Sequence, residues 1–153
     1  MVNINQNNGC MHALLQKNNN THILIVQEPC YYTIATVHSD NDPEGLKQKN
    51  IPHNNMWDTH LPKHGSDNTC KVTIYTKKML LRMHTVRLRY DHPLASLTLM
   101  VMDITNANNM TLHIINTYHV VPSQGHSLHY LISHSLDKTV PTLLIRDLNT
   151  HDL

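Results

Sequence analysis

The segment Thr21-His22-Ile23-Leu24-Ile25-Val26 is a continuous apolar run that stops at Gln27-Glu28-Pro29. A strand with one solvated face would alternate apolar and polar residues, so an unbroken run fits a strand covered on both sides. Pro29 has no N–H for a sheet ladder and marks its end. Ahead of this run, residues 2–5 alternate apolar and polar like a short strand. Met11, Leu14 and Leu15 follow at i, i+3 and i+4, one face of a helix that ends in Asn18-Asn19-Asn20. Strand, helix and buried strand in this order predict an α/β architecture.

Residues 38–68 are polar and rich in breakers (Asp42-Pro43-Glu44-Gly45, Ile51-Pro52, Leu61-Pro62), which predicts a long surface loop with one short element around Trp57. Strand patterning resumes at 70–76, 85–90, 97–104 and 110–118, with turns at Asp91-His92-Pro93 and Asn106-Ala107-Asn108-Asn109. Residues 123–136 place Leu128, Leu131, Ile132 and Leu136 on one helical face, and a last strand spans 140–145. The expected shape is two packed sheets, seven strands in all, with two helices outside.

A length of 153 residues with 40% apolar and 15% charged residues suits one folded domain and excludes a disordered chain. No apolar stretch reaches the roughly 18 residues of a membrane span. The N-terminal residues Asn3-Ile4-Asn5-Gln6-Asn7-Asn8 do not read as a signal peptide. The expectation is a soluble intracellular protein, nuclear or cytoplasmic, with no membrane partner; no protein partner can be read from the sequence. A formal charge of +1 gives no bulk attraction to nucleic acid. Lys71, Lys77, Lys78, Arg82, Arg87 and Arg89 cluster in sequence, which reads first as a solvated strand face and turn. Cys10, Cys30 and Cys70 are widely spaced without a CxxC, so reduced thiols are expected. The 14 histidines include no HExxH, and His126, His129 and His134 lack ligand spacing.

Polar pairs carry the chemistry. Asn3 with Asn5, Asn116 with Tyr118, and Asp147 with Asn149 are each separated by one residue on or just beyond a strand, where i and i+2 share a face. Glu28 sits just past a further strand. If these ends converge, they form a pocket of carboxylates, amides and a phenol suited to phosphodiester chemistry. Strand-end capping by Asn and Asp is the plainer alternative.

Ile25-Val26-Gln27-Glu28-Pro29, Ile115-Asn116-Thr117-Tyr118 and Leu144-Ile145-Arg146-Asp147-Leu148-Asn149-Thr150-His151 resemble three successive motifs of the endonuclease/exonuclease/phosphatase superfamily. More narrowly, they resemble the apurinic-type endonuclease domain of fungal non-LTR (LINE-like) retrotransposons. Met11-His12-Ala13-Leu14-Leu15, Asp42-Pro43-Glu44-Gly45 and Tyr118-His119-Val120-Val121-Pro122 add to the ordered set. The resemblance implies a four-layer α/β sandwich of two packed mixed sheets flanked by helices. It also implies Mg2+-dependent hydrolysis of DNA phosphodiesters, a nicking reaction, with Mn2+ as a substitute ion. It assigns Glu28 as metal ligand, Asn3 and Asn5 beside metal and phosphate, Tyr118 on the phosphate, and Asp147 with Asn149 positioning the nucleophile.

The chain departs from the family pattern at Arg146, where the family has Gly, at Leu148 in place of Phe, and at Cys30 in place of an aromatic residue. Residues 1–153 would correspond to about the first two thirds of the family domain. The family's closing Asp/Asn pair and Ser/Thr-Asp-His motif lie outside that part, and His151 does not occupy the place of their histidine. The expectation is an incomplete domain with weak or no activity by itself, and a composition rich in His and Asn but with no Phe and 4 Gly suits a decayed mobile-element copy. Two other readings stay open: a non-catalytic, nucleic-acid-binding remnant, and a phosphatase acting on small phosphoesters.

Overall fold

A computed structural model describes residues 1–17, 20–39, 42–62, 70–91, 98–118 and 139–147; for 32–49 and 147 it describes the backbone. The described elements are β1 (Val2–Asn3), α1 (Asn8–Lys17), β2 (Ile23–Gln27), β3 (Tyr32–Ser39), β4 (Asp42–Asn50), β5 (Trp57–His60), β6 (Val72–Lys77), β7 (His84–Leu88), β8 (Leu99–Asn106), β9 (Thr111–Tyr118) and β10 (Thr142–Asp147), with a 3-10 turn at Leu80–Arg82. They build two four-stranded mixed sheets, ordered β1-β2-β6-β5 and β10-β9-β8-β7, and a separate β3-β4 hairpin.

The two sheets follow one plan. In each, an outer strand runs parallel to its neighbour (β1 to β2, β10 to β9) and the remaining pairs are antiparallel. Between them lies a core of Ile25, Val72, Ile74, Met100, Met102, Ile104 and Ile114. These side chains come from alternate positions, as the period of two requires. Each such side chain contributes about 1.5–3 kcal/mol by leaving water.

The opposite face of the first sheet explains the unbroken apolar run. Leu24, Val26 and Tyr75 point there and pack with Ile4, Ile51, Trp57 and the α1 residues Met11 and Leu15. Every residue of β6 is buried, as expected of a central strand covered on both faces. Two hydrogen bonds pin the layer: Trp57 Nε1 donates to Leu15 O at 3.0 Å, and Tyr75 Oη donates to Pro52 O at 2.7 Å.

Two sheets and a flanking helix agree with the coarse expectation; the segment 38–68 does not. The expected short element around Trp57 is β5, which pairs with β6, but the rest is not all loop: it contributes β4, most of which pairs with β3. Asp42-Pro43-Glu44-Gly45 concealed this, because breakers usually end strands. Register shifts between Val37 and Ser39 and between Thr33 and Ala35 accommodate the irregular pairing. The expected helix at 123–136 lies outside the described residues. No helix among the described residues is long and apolar enough to cross a membrane.

Candidate functional site

The parallel strands of both sheets end at the same edge of the sandwich. Gln27 closes β2, and its buried side chain crosses to the second sheet, where Nε2 donates to Asn116 Oδ1 at 3.2 Å and Thr117 O at 3.0 Å. Asn116 Nδ2 returns the link, donating to Val26 O and Thr73 O, each at 3.3 Å. Both residues are 0% exposed. Backbone carbonyls only accept, so they fix the orientation of both amides. That orientation leaves Gln27 Oε1 buried with no donor among the described residues.

One residue further out, Tyr118 Oη donates to Glu28 Oε1 at 2.9 Å. Strand alternation would turn Glu28 away from the second sheet, since Gln27 already points there. Its backbone breaks the alternation with φ 49°, in the left-handed region. Asn5 (φ 44°) and Gln6 (φ 57°) are left-handed as well, and Gln6 N–H donates to Glu28 O at 2.9 Å. Non-glycine residues in this region are uncommon, and such strain gathers at functional corners. The fourth case, Asn109 (φ 59°), lies in the β8–β9 turn, where Asn tolerates it.

Sequence reasoning did not single out Lys71 for this corner. Its Nζ lies 3.8 Å from Glu28 Oε1 and 5.8 Å from the centre of the Tyr118 ring. Its carbonyl accepts the Glu28 N–H at 2.8 Å. Of the rest of the basic cluster, Lys78, Arg82 and Arg87 are exposed on the turn and β7, as a solvated face and turn would have them, while Lys77 and Arg89 depart from it. Lys77, at the far end of β6, is 5% exposed with its ammonium 5.4 Å over Trp57, and Arg89 pairs with Asp91 and Asp103. Behind the corner, Cys70 N–H donates to the Tyr31 hydroxyl, which also meets Cys70 Sγ. Burial pushes the Tyr31 phenol up, helped by its bond to Cys70, and burial likewise pushes the Cys70 thiol up.

The expected site residues separate as follows. Glu28 and Tyr118 meet directly, and Asn116 and Tyr118 both reach the first sheet. Asn3 closes β1 in register with Gln27, so the amide stands on the neighbouring strand tip. Asn5 does not share a strand face with Asn3; it lies in the following turn, its N–H donating to Asn3 Oδ1 at 2.9 Å. An Asx-turn therefore replaces the expected i, i+2 pair. Asp147 closes β10 opposite Tyr118 in parallel register. Asn149 lies outside the described residues.

No cluster of three or more His, Cys, Asp or Glu gathers among the described residues, so no all-carboxylate cage exists there. Mg2+ does not require one: it retains several waters and binds through one or two carboxylates. Glu28 supplies the one carboxylate that such an ion needs, with Asn3 on the neighbouring strand tip, so these two residues would hold a hydrated divalent ion. No family model, curated protein or solved structure matches the chain.

Proposed function

We propose that this chain is a phosphodiesterase domain of the endonuclease/exonuclease/phosphatase type, acting on DNA with Mg2+, and that its two sheets belong to a four-layer α/β sandwich. The carrying observation is the Tyr118–Glu28 hydrogen bond across the two sheets at the tips of β2 and β9. It brings a carboxylate and a phenol together at a corner of left-handed backbone, which supports giving both residues a part in one site. In this reading Glu28 holds the ion, with Asn3 and Asn5 beside it. Tyr118 donates to a phosphate oxygen, and Asp147 with Asn149 orients the attacking water. The bound ion supplies charge neutralisation and a more acidic water.

A plasmid-nicking assay with Mg2+ tests this, with Glu28→Ala as control. Nicking that disappears in the variant supports the proposal, and nicking that is absent from the parent chain or survives the substitution counts against it. One observation favours a second reading, a module that binds nucleic acid without cleaving it: Lys71 already stands as a counter-charge to Glu28. DNA binding that weakens with salt, without any cleavage, is its signature.

A further inference from the structure

We infer that Lys71 has a double role in the candidate site: it competes with the divalent ion for Glu28, and it contacts the phosphate of a nucleic-acid backbone. The inference rests on the proposed metal-dependent reading and assigns a residue that the motif resemblance does not include.

At 3.8 Å from Glu28 Oε1, the ammonium is close enough for Coulombic attraction but beyond the 2.7–2.9 Å typical of a charge-assisted hydrogen bond. Its side chain is 34% exposed against 15% for Glu28, so the cation stands on the solvent side of the carboxylate. Tyr118 takes Glu28 Oε1 by a direct hydrogen bond, and the same oxygen faces Lys71. An ion entering at Glu28 would meet the ammonium's charge, and repulsion between like charges favours moving the flexible lysine tip outward. There its three donors meet an anion approaching the same ion.

The backbone at Lys71 cannot follow. Its carbonyl holds the Glu28 N–H, and the adjoining Cys70 is tied to Tyr31. Any displacement therefore falls on the side chain, and substituting that side chain leaves the backbone hydrogen bond in place.

The role predicts effects of opposite sign. Removing the ammonium relieves competition and should tighten divalent-ion binding by about two- to fivefold, the range set by partly exposed ion pairs. It should also weaken DNA binding uniformly across sequences and reduce the log–log salt slope by about 0.9, the value for one lost phosphate contact. A purely structural lysine would move neither quantity in this pattern.

The test uses the full chain as parent, Lys71→Met, Lys71→Arg and Glu28→Gln, each checked for folding by circular dichroism. Mn2+ alone is titrated calorimetrically. Binding of a duplex oligonucleotide is followed by fluorescence anisotropy over a salt series at a fixed saturating concentration of Ca2+, another hard cation that binds carboxylate oxygen. Tighter Mn2+ binding with a shallower salt slope in Lys71→Met, and a parental slope in Lys71→Arg, supports the inference; any other pattern in those variants overturns it. Mn2+ binding that is absent from the parent, or unaffected by Glu28→Gln, refutes the metal-dependent reading itself. Binding lost in Glu28→Gln but unchanged in Lys71→Met refutes only the role of Lys71.

Discussion

The Gln27–Asn116 link makes an asymmetric prediction about stability. Asn116→Leu keeps a branched side chain but removes three hydrogen bonds: the one accepted from Gln27 Nε2 and those given to Val26 O and Thr73 O. At about 1 kcal/mol each, the loss is about 3 kcal/mol. Gln27→Met, close in shape, removes two hydrogen bonds, to Asn116 Oδ1 and Thr117 O. It also removes Gln27 Oε1, a buried acceptor with no donor among the described residues, whose desolvation costs about 1–3 kcal/mol. The same substitution leaves Asn116 Oδ1 buried without its donor, which offsets that gain, so the net cost is about 2 kcal/mol from the two lost hydrogen bonds. The substitutions share one hydrogen bond, so the double variant should be less destabilised than the sum of the singles by about 1 kcal/mol. Urea unfolding of the four proteins, with m-values compared to check two-state behaviour, measures all three quantities. A Gln27→Met cost equal to or above that of Asn116→Leu would refute this ordering. Strict additivity would refute the hydrogen bond between the amides.

Three other predictions concern the same half of the molecule. The Tyr31 phenol and Cys70 thiol are both pushed up by burial, so the folded chain keeps protons that the unfolded chain releases. Stability should therefore fall as pH rises past the ordinary thiol value of about 8.5, and Tyr31→Phe should flatten the fall above about pH 10, as read from urea midpoints across that range. Trp57→Phe loses the indole N–H bond to Leu15 O and part of a buried ring; it should cost about 2–4 kcal/mol, with the α1 signal in far-ultraviolet circular dichroism melting at lower urea. Glu28→Gly and Glu28→Ala both remove the carboxylate, but only glycine accepts φ 49° freely. Glycine should therefore be the more stable variant by about 1 kcal/mol in thermal melts, and equal melting temperatures would argue against strain at this position.

The legible parts of the sequence were those where one physical pattern acts alone. The run 21–26 announced a strand covered on both faces, and Met11, Leu14 and Leu15 announced the helix beside it; β2 and α1 follow. Alternation also located β7, β8 and β9 to within a few residues. The hairpin β3–β4 was illegible because its pairing is irregular, and Pro43 and Gly45 argue against a strand when read locally. In the site, Glu28 and Tyr118 were named from their motifs, and their meeting required two sheets to pack, which no local pattern encodes. Lys71 could have been found only by pairing strands: once Gln27 opposes Val72, Lys71 must lie opposite Glu28. Asn5 was misplaced because i, i+2 geometry was extended past the end of β1, where an Asx-turn takes over.

The repeated sheet plan gives the corner its position. In each sheet the parallel pair ends at the same side, Asn3 with Gln27 and Asp147 with Tyr118. Open sheets with parallel strands commonly bind ligands beyond the carboxyl ends of those strands. Here packing sets two such ends face to face, and the Gln27–Asn116 link fixes their separation one residue inside the edge. Left alone, strand alternation would still turn Glu28 away from Tyr118. The left-handed backbone at Glu28 corrects this, and its carbonyl holds the N–H of Gln6, itself left-handed. Asn tolerates its conformation at Asn5 as it does at Asn109, so the uncommon backbone at this corner is that of Gln6 and Glu28, and it is what sets the Glu28 carboxylate against Tyr118.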